Sequence, residues 1–182
     1  MIERSKVTIK VRGTSPLLTH NPAGMRMSSD DPARKKKIPT PEEESEAGCY
    51  RDENGKYVLP SIGFRSAILA ASKSFKKGRS SAFYGVSHIE MEAEWVPLKN
   101  GNGKAAGQYV IDTRRAVVQK NGILRSRPKW LQWSAEFTVI YDPALVNEKE
   151  IRTYAEEAGQ KIGVFDYRPQ RGGWFGRFEL VD

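Results

Sequence analysis

Three groups of residues have the types and spacing to do chemistry. The densest is Arg114, Arg115, Lys120, Arg125, Arg127 and Lys129, a basic run with no acid between Arg114 and Lys129, followed at once by Trp130 and Trp133. Cations beside aromatics suit a single nucleic-acid strand. Phosphates pair with the charge and release counterions, and unstacked bases lie on the rings. The second group is RPQRGGWFGR. There Gly172, Gly173 and Gly176 let backbone approach a ligand, and Arg168, Arg171 and Arg177 supply charge around Trp174 and Phe175. The third is the opening of a helix at Pro60–Ser61. Free amides from Ser61 to Gly63 would cradle a phosphate, flanked by Arg65 and Lys73, with Lys76 near the helix exit. Each group has a plainer alternative: a solvated hairpin with core tryptophans, a tight connector stapled by aromatics, and ordinary capping by Ser61.

Signals for catalysis are sparse. His20 and His88 are the two histidines, and neither stands in a metal-ligand spacing. Cys49 is the single cysteine, so no internal disulfide or thiolate cluster forms. There is no nucleophile elbow, Walker loop or Rossmann fingerprint, and no metal or other cofactor is expected.

The elements that must position these residues follow from periodicity. KVTIKVR alternates, with Val7, Ile9 and Val11 on one face and Lys6, Thr8, Lys10 and Arg12 on the other, which predicts a half-buried strand. Residues 19–48 have no sustained period and read as a long thumb-like insertion, with at most a helical turn or two in PTPEEESEA. A brief strand at KYVL precedes a helix from Pro60–Ser61 to about Phe75, with Phe64, Ala67, Ile68, Ala71 and Phe75 as its apolar stripe. HIEMEAEWVPL reads as one strand. YVIDTRRAVVQKNGILRSR reads as a hairpin turning at Asn121-Gly122, and WLQWSAEFTVIYD as a long strand. Asn147 and Glu150 form a capping box for a helix that buries Ile151, Tyr154, Ala155, Ala158 and Ile162. RFELV is the last strand. The core order is β-α-β-β-α-β, predicting an α+β fold with a ferredoxin-like, RNA-recognition-motif core.

The chain has 182 residues and a formal net charge of +8, which suits one domain with a polyanionic partner. The opening MIERSKVTIKV has no apolar signal core, and no run approaches ~18 apolar residues. A cytoplasmic protein without membrane association is the expectation.

The element order and two motifs resemble the RAMP superfamily, the backbone and processing subunits of CRISPR effector complexes. RDENGKYVLPSIGFRSAILA, Arg51 to Ala70, is similar to that family's segment opening the first helix, with Ser61-Ile62-Gly63 where the family has Gly-Ser-Ser. RPQRGGWFGRFEL stands where the family carries its glycine-rich loop. That ending also resembles uncharacterised proteins of tailed phages and prophages, which implies a stand-alone member in a bacterial or phage-infected cell. The resemblance implies a non-catalytic single domain over 1–182 that coats single-stranded DNA or RNA with little sequence preference. Its protomers would associate head to tail, with the 19–48 insertion reaching a neighbour. It also leaves two alternatives. One is an endoribonuclease using His20 as general base, or Asp30 and Asp31 with a divalent ion. The other is an interaction protein that mimics or inhibits a CRISPR backbone subunit.

Overall fold

The computed structural model describes residues 3–24, 39–118 and 121–181. Asp30, Asp31, Lys120 and much of the insertion lie outside the described residues. In chain order the elements are β1 (Ser5–Gly13), β2 (Leu17–Leu18), α1 (Pro41–Ala47), β3 (Val58–Pro60), α2 (Ile62–Ser72), β4 (Lys76–Lys77), β5 (Ser80–Ser81), α3 (Phe83–Ser87), β6 (Glu90–Met91), β7 (Trp95–Pro97), β8 (Val110–Val118), β9 (Asn121–Trp130), β10 (Ser134–Tyr141), α4 (Glu148–Glu157), a π-helical turn (Ala158–Ile162), a 3-10 turn (Pro169–Arg171) and β11 (Phe178–Val181). The fold is mixed α and β, with several antiparallel sheets.

Alternation builds the main sheet. Val7, Ile9 and Val11 of β1 are buried, as are Ala135, Phe137, Val139 and Tyr141 of β10. The two strands pair antiparallel with Val7 opposite Val139 and Ile9 opposite Phe137, so both apolar rows fall on one face. β11 adds beside β1 and β6 beside β10, giving the order β11-β1-β10-β6. Helices α2 and α4 cover the apolar face. Phe64 of α2 stacks on Phe137 at 4.6 Å between centroids, and Phe75 meets Tyr154 of α4 at 4.9 Å. Both α1 and α4 open with capping boxes, Thr40 with Glu43 and Asn147 with Glu150.

Four expected boundaries differ. Helix α2 stops at Ser72, and its basic exit becomes the small β4–β5 hairpin around Gly78, whose φ is 65°. HIEMEAEWVPL divides in two: β6 pairs with β10, whereas β7 pairs with β3. The β8–β9 hairpin pairs Val118 with Asn121, so Asn121 and Gly122 belong to the strand rather than the turn. Trp130 ends β9 and pairs with Leu17 of β2, so β10 begins only at Ser134.

β11 lies directly on the π-helical turn. A Cβ at Gly159 would overlap the carbonyl oxygen of Phe178, so only glycine permits this approach. Gly159→Ala is expected to cost about 1–3 kcal/mol, as overpacking does, read as a lower urea midpoint. An unchanged midpoint would mean that β11 does not pack this closely.

Candidate nucleic-acid interface

The acids missing from the basic run arrive from elsewhere. Asp112 of β8, 6% exposed, pairs with Arg114 and, at 3.1 Å, with Lys129. Glu44 of α1 accepts from the Arg125 guanidinium and from the Ser126 amide, each at 2.8 Å. Arg127 pairs with Asp166. The run is therefore largely compensated, contrary to the expectation of free charge. Burial opposes the charged form of Asp112 more than any other single effect. The bonds from Arg114 and Lys129 outweigh it and hold the carboxyl below its ordinary value. Arg115 is exposed and has no acidic partner among the described residues.

The tryptophans beside this run face inward. Trp130 is 3% exposed and packs edge-on against Tyr57 at 4.6 Å and Tyr109 at 5.5 Å. Trp133 is 1% exposed, and its indole N–H donates to the Ser15 carbonyl at 2.9 Å. Trp130 thus serves the core and offers no ring to a base, a correction to its expected role.

The glycine-rich loop uses its glycines on itself. A Cβ at Gly173 would overlap the carbonyl of Tyr167, and one at Gly176 the carbonyl of Val164. Phe165 and Tyr167 are held at positive φ, 62° and 47°. The tight backbone thus serves self-packing, where the sequence suggested ligand approach. The consequence is a presented surface. Phe175 is buried, but Trp174 is 54% and Tyr167 42% exposed. Arg171 and Arg177 are exposed beside them. The loop meets the hairpin through the Arg127–Asp166 pair and through Arg114, whose guanidinium lies 4.7 Å from the Phe175 ring centroid and 6.0 Å from that of Tyr167. Arg168 folds back, donating to the Phe165 carbonyl at 2.9 Å and to Gln170. Burial, then the charge of Arg171, lowers its pKa.

The phosphate cradle expected at Ser61–Gly63 is only partly assembled. The Ser61 amide donates to the Glu94 carbonyl at 2.8 Å, and its side chain caps nothing. Arg65 is committed to the carbonyls of Ser87 and Ile89. Lys73 lies over the Phe83 ring at 5.1 Å, and Lys76 sits exposed in β4. What remains at the helix opening is a cavity of about 330 Å³, lined among others by Ile62, Gly63, His20, Asp166 and Arg168. The structure thus brings His20, the hairpin and the loop to one place, leaving Arg65, Lys73 and Lys76 outside it. Asp166, Tyr50 and Tyr167 went unrecognised as site residues in the sequence, although Asp166 and Tyr167 directly precede the loop motif.

His20 is half-buried, and its Nδ1 has no hydrogen-bond partner. Burial lowers its pKa below 6.5. Asp166 works against this, and Arg127 and Arg125 reinforce it. Among the described residues no group of three or more His, Cys, Asp or Glu is placed to hold a metal ion, and no helix is long and apolar enough to cross a membrane.

The open face of the main sheet is a different surface. Lys6 pairs with Glu92 at 2.6 Å, Arg12 with Glu179 at 2.7 Å, and Thr8 bonds Thr138 at 3.0 Å. Lys6, Thr8, Lys10, Arg12, Glu136 and Thr138 put no aromatic ring there. No protein-family model matches the chain, and no curated protein matches it.

Two measurements check this electrostatic layout. In a proton NMR titration the His20 ring should titrate below 6.5. Between its folded value and 6.5 the unfolded chain binds more protons, so this group's contribution is intact above 6.5 and declines as pH falls through the folded value. A midpoint at or above 6.5 would contradict the burial seen here. Asp112→Asn should destabilise the fold by about 1–3 kcal/mol at neutral pH, because partly buried Arg114 and Lys129 lose their charged partner and one of its two acceptor oxygens. That penalty should shrink as pH falls below 3.8 and the native carboxyl itself protonates. A neutral-pH penalty near zero would refute the pairing.

Proposed function

We propose that this protein binds single-stranded nucleic acid, DNA or RNA, without cutting it, through the loop 167–177 and the adjoining hairpin. One observation carries the reading: Trp174 and Tyr167 stand 54% and 42% exposed on a self-packed loop. Arg115, Arg171 and Arg177 are exposed on the loop and hairpin that form this surface. Rings held open beside unpaired cations are what a flexible strand uses, since every base has a face to stack and every nucleotide a phosphate to pair. The sheet's open face offers no ring, and Lys6 and Arg12 there are paired with Glu92 and Glu179.

The order β11-β1-β10-β6, with α2 and α4 on one face, supports a ferredoxin-like core, and with it the resemblance to RAMP proteins. In this reading protomers sit side by side on a strand and raise one another's effective concentration. A second reading, an endoribonuclease with His20 as general base, draws on the place of His20 in the cavity and on burial favouring its neutral imidazole. Incubating labelled RNA with and without magnesium separates the two. Intact RNA in a retarded complex supports binding alone, and metal-independent products that vanish in His20→Ala support the enzyme.

Trp174→Ala should weaken single-strand binding by roughly 5- to 150-fold, the range for loss of one base stack. Arg115, Arg171 and Arg177 replaced together by alanine should flatten the log-log salt dependence by about 2 units, at about 0.7 per phosphate. Neither change should move the thermal midpoint much, because these side chains are exposed. Unchanged affinity and salt slope in both natively folded variants would overturn the proposal.

A further inference from the structure

We infer that a second single-strand contact lies at the far end of α2, on the β4–β5 hairpin and α3, so that one protomer holds two separated stretches of the same strand. The choice of partner rests on the strand-binding reading, but the surface is built from other residues.

This part of the chain carries no counter-charge of its own. Between Glu53 and Glu90 there is no Asp or Glu, and Lys73, Lys76, Lys77 and Arg79 crowd together within it. One of these cations is spent on structure. Lys77 donates to the Leu145 carbonyl at 2.9 Å and pairs with Glu150 at 3.2 Å, which fastens the hairpin to the start of α4. Successive strand residues face opposite ways, so Lys76 turns from that contact. Lys73, Lys76 and Arg79 are exposed, and none has an acidic partner among the described residues.

Two rings stand beside these cations. Phe83 is 36% and Tyr84 68% exposed. Ala82 and Val86 of the same turn are buried, and a Cβ at Gly85 would stand 2.6 Å from the Leu145 carbonyl oxygen. That side of α3 lies against the domain, which leaves Phe83 and Tyr84 on the other. Tyr84 rests edge-on against His88 at 5.1 Å, and the Lys73 ammonium lies 5.1 Å from the Phe83 centroid. Glu90 and Asp142 line a cavity with Tyr84, but both are engaged. Glu90 pairs with Arg4 at 3.0 Å, and Asp142 accepts the Ala144 amide at 2.8 Å.

An anionic membrane is the other polyanion that cations and rings can meet. It needs apolar bulk to bury. No aliphatic side chain is exposed on the hairpin or α3, and the hairpin's remaining residues are Gly78, Ser80 and Ser81. A strand asks only for rings and charge. Helix α2 also joins the two surfaces. It spans 11 residues, about 16 Å at 1.5 Å per residue. Ile62, Ser66 and Lys73 are exposed at helical spacing along it, and the first two line the same cavity as Arg168 and Gln170 of the loop.

Fluorescence anisotropy with the full chain tests this. The probes are oligothymidylates of about 5 and about 15 nucleotides, near the two ends of common site sizes, with the matching oligouridylates in parallel. The longer strand should bind at least about 10-fold tighter, because the second contact forms within one complex. Lys73, Lys76 and Arg79 replaced together by alanine should remove that gain and leave the shorter strand, held at the loop, unchanged. The log-log salt slope on the longer strand should flatten by about 2 units, at about 0.7 per phosphate. Tyr84→Ala should reduce the same gain. Lys77 stays in place, so the hairpin keeps its anchor. A triple variant that is native by circular dichroism and keeps both the gain and the slope would overturn the inference. So would vesicles of phosphatidylserine and phosphatidylcholine that the native protein binds and the triple variant does not, with strand affinity unmoved. Trp174→Ala separates this inference from the reading it rests on. If that variant binds both strands as the native chain does while the triple variant loses them, the hairpin surface stands and the loop reading falls. No binding of either strand by the native protein overturns both.

Discussion

The ion pair between Arg127 and Asp166 is the joint on which the rest of the proposed site depends. It ties β9 to the segment between α4 and β11, with the two side chains 15% and 30% exposed. The same carboxylate faces His20 and lines the cavity at the α2 opening. Removing either partner of such a pair leaves a partly buried charge uncompensated, which costs more than losing a surface bridge. Glu44 repeats the arrangement with Arg125, and Asp112 with Arg114 and Lys129. The hairpin's basic run is thus mainly what seats the hairpin on the domain. Among the described residues of the hairpin and the loop, Arg115, Arg171 and Arg177 are exposed without an acidic partner.

Local rules made much of the scaffold legible. Period-two alternation located β1 and the buried row of β10, because one face of each strand must be apolar once a sheet forms. The Asn147–Glu150 box located α4, because its two reciprocal bonds lie within four residues. Boundaries set by partners were not legible. HIEMEAEWVPL alternates throughout, yet its halves pair with different strands. Asn121-Gly122 carries strong turn chemistry, but both residues pair within β9, in a register set by nine cross-strand pairs.

The site was legible as composition and obscure as geometry. The basic run had no acid within it, and its counter-charges come from as far as Glu44, 81 positions before Arg125. No local pattern encodes such a pairing. The glycines of RPQRGGWFG allow close approach, as their type implies, but the approaching group is the loop's own backbone. That self-contact is why Trp174 and Tyr167 stand outward while Phe175 is buried. Trp130 and Trp133 followed charges in sequence and were open to two readings. Pairing with Leu17 takes Trp130 into the core, and the Ser15 carbonyl holds Trp133 there.

The central proposal is that a single strand lies along the loop and the hairpin edge rather than across the sheet. Photocrosslinking with a 5-bromouridine-substituted strand, followed by mass spectrometry of the conjugated peptides, tests it most directly. The account predicts conjugates at Tyr167 and Trp174, within the peptides that carry Arg168 and Arg171. Conjugates confined to β1 and β10, or none at saturating strand, would contradict it.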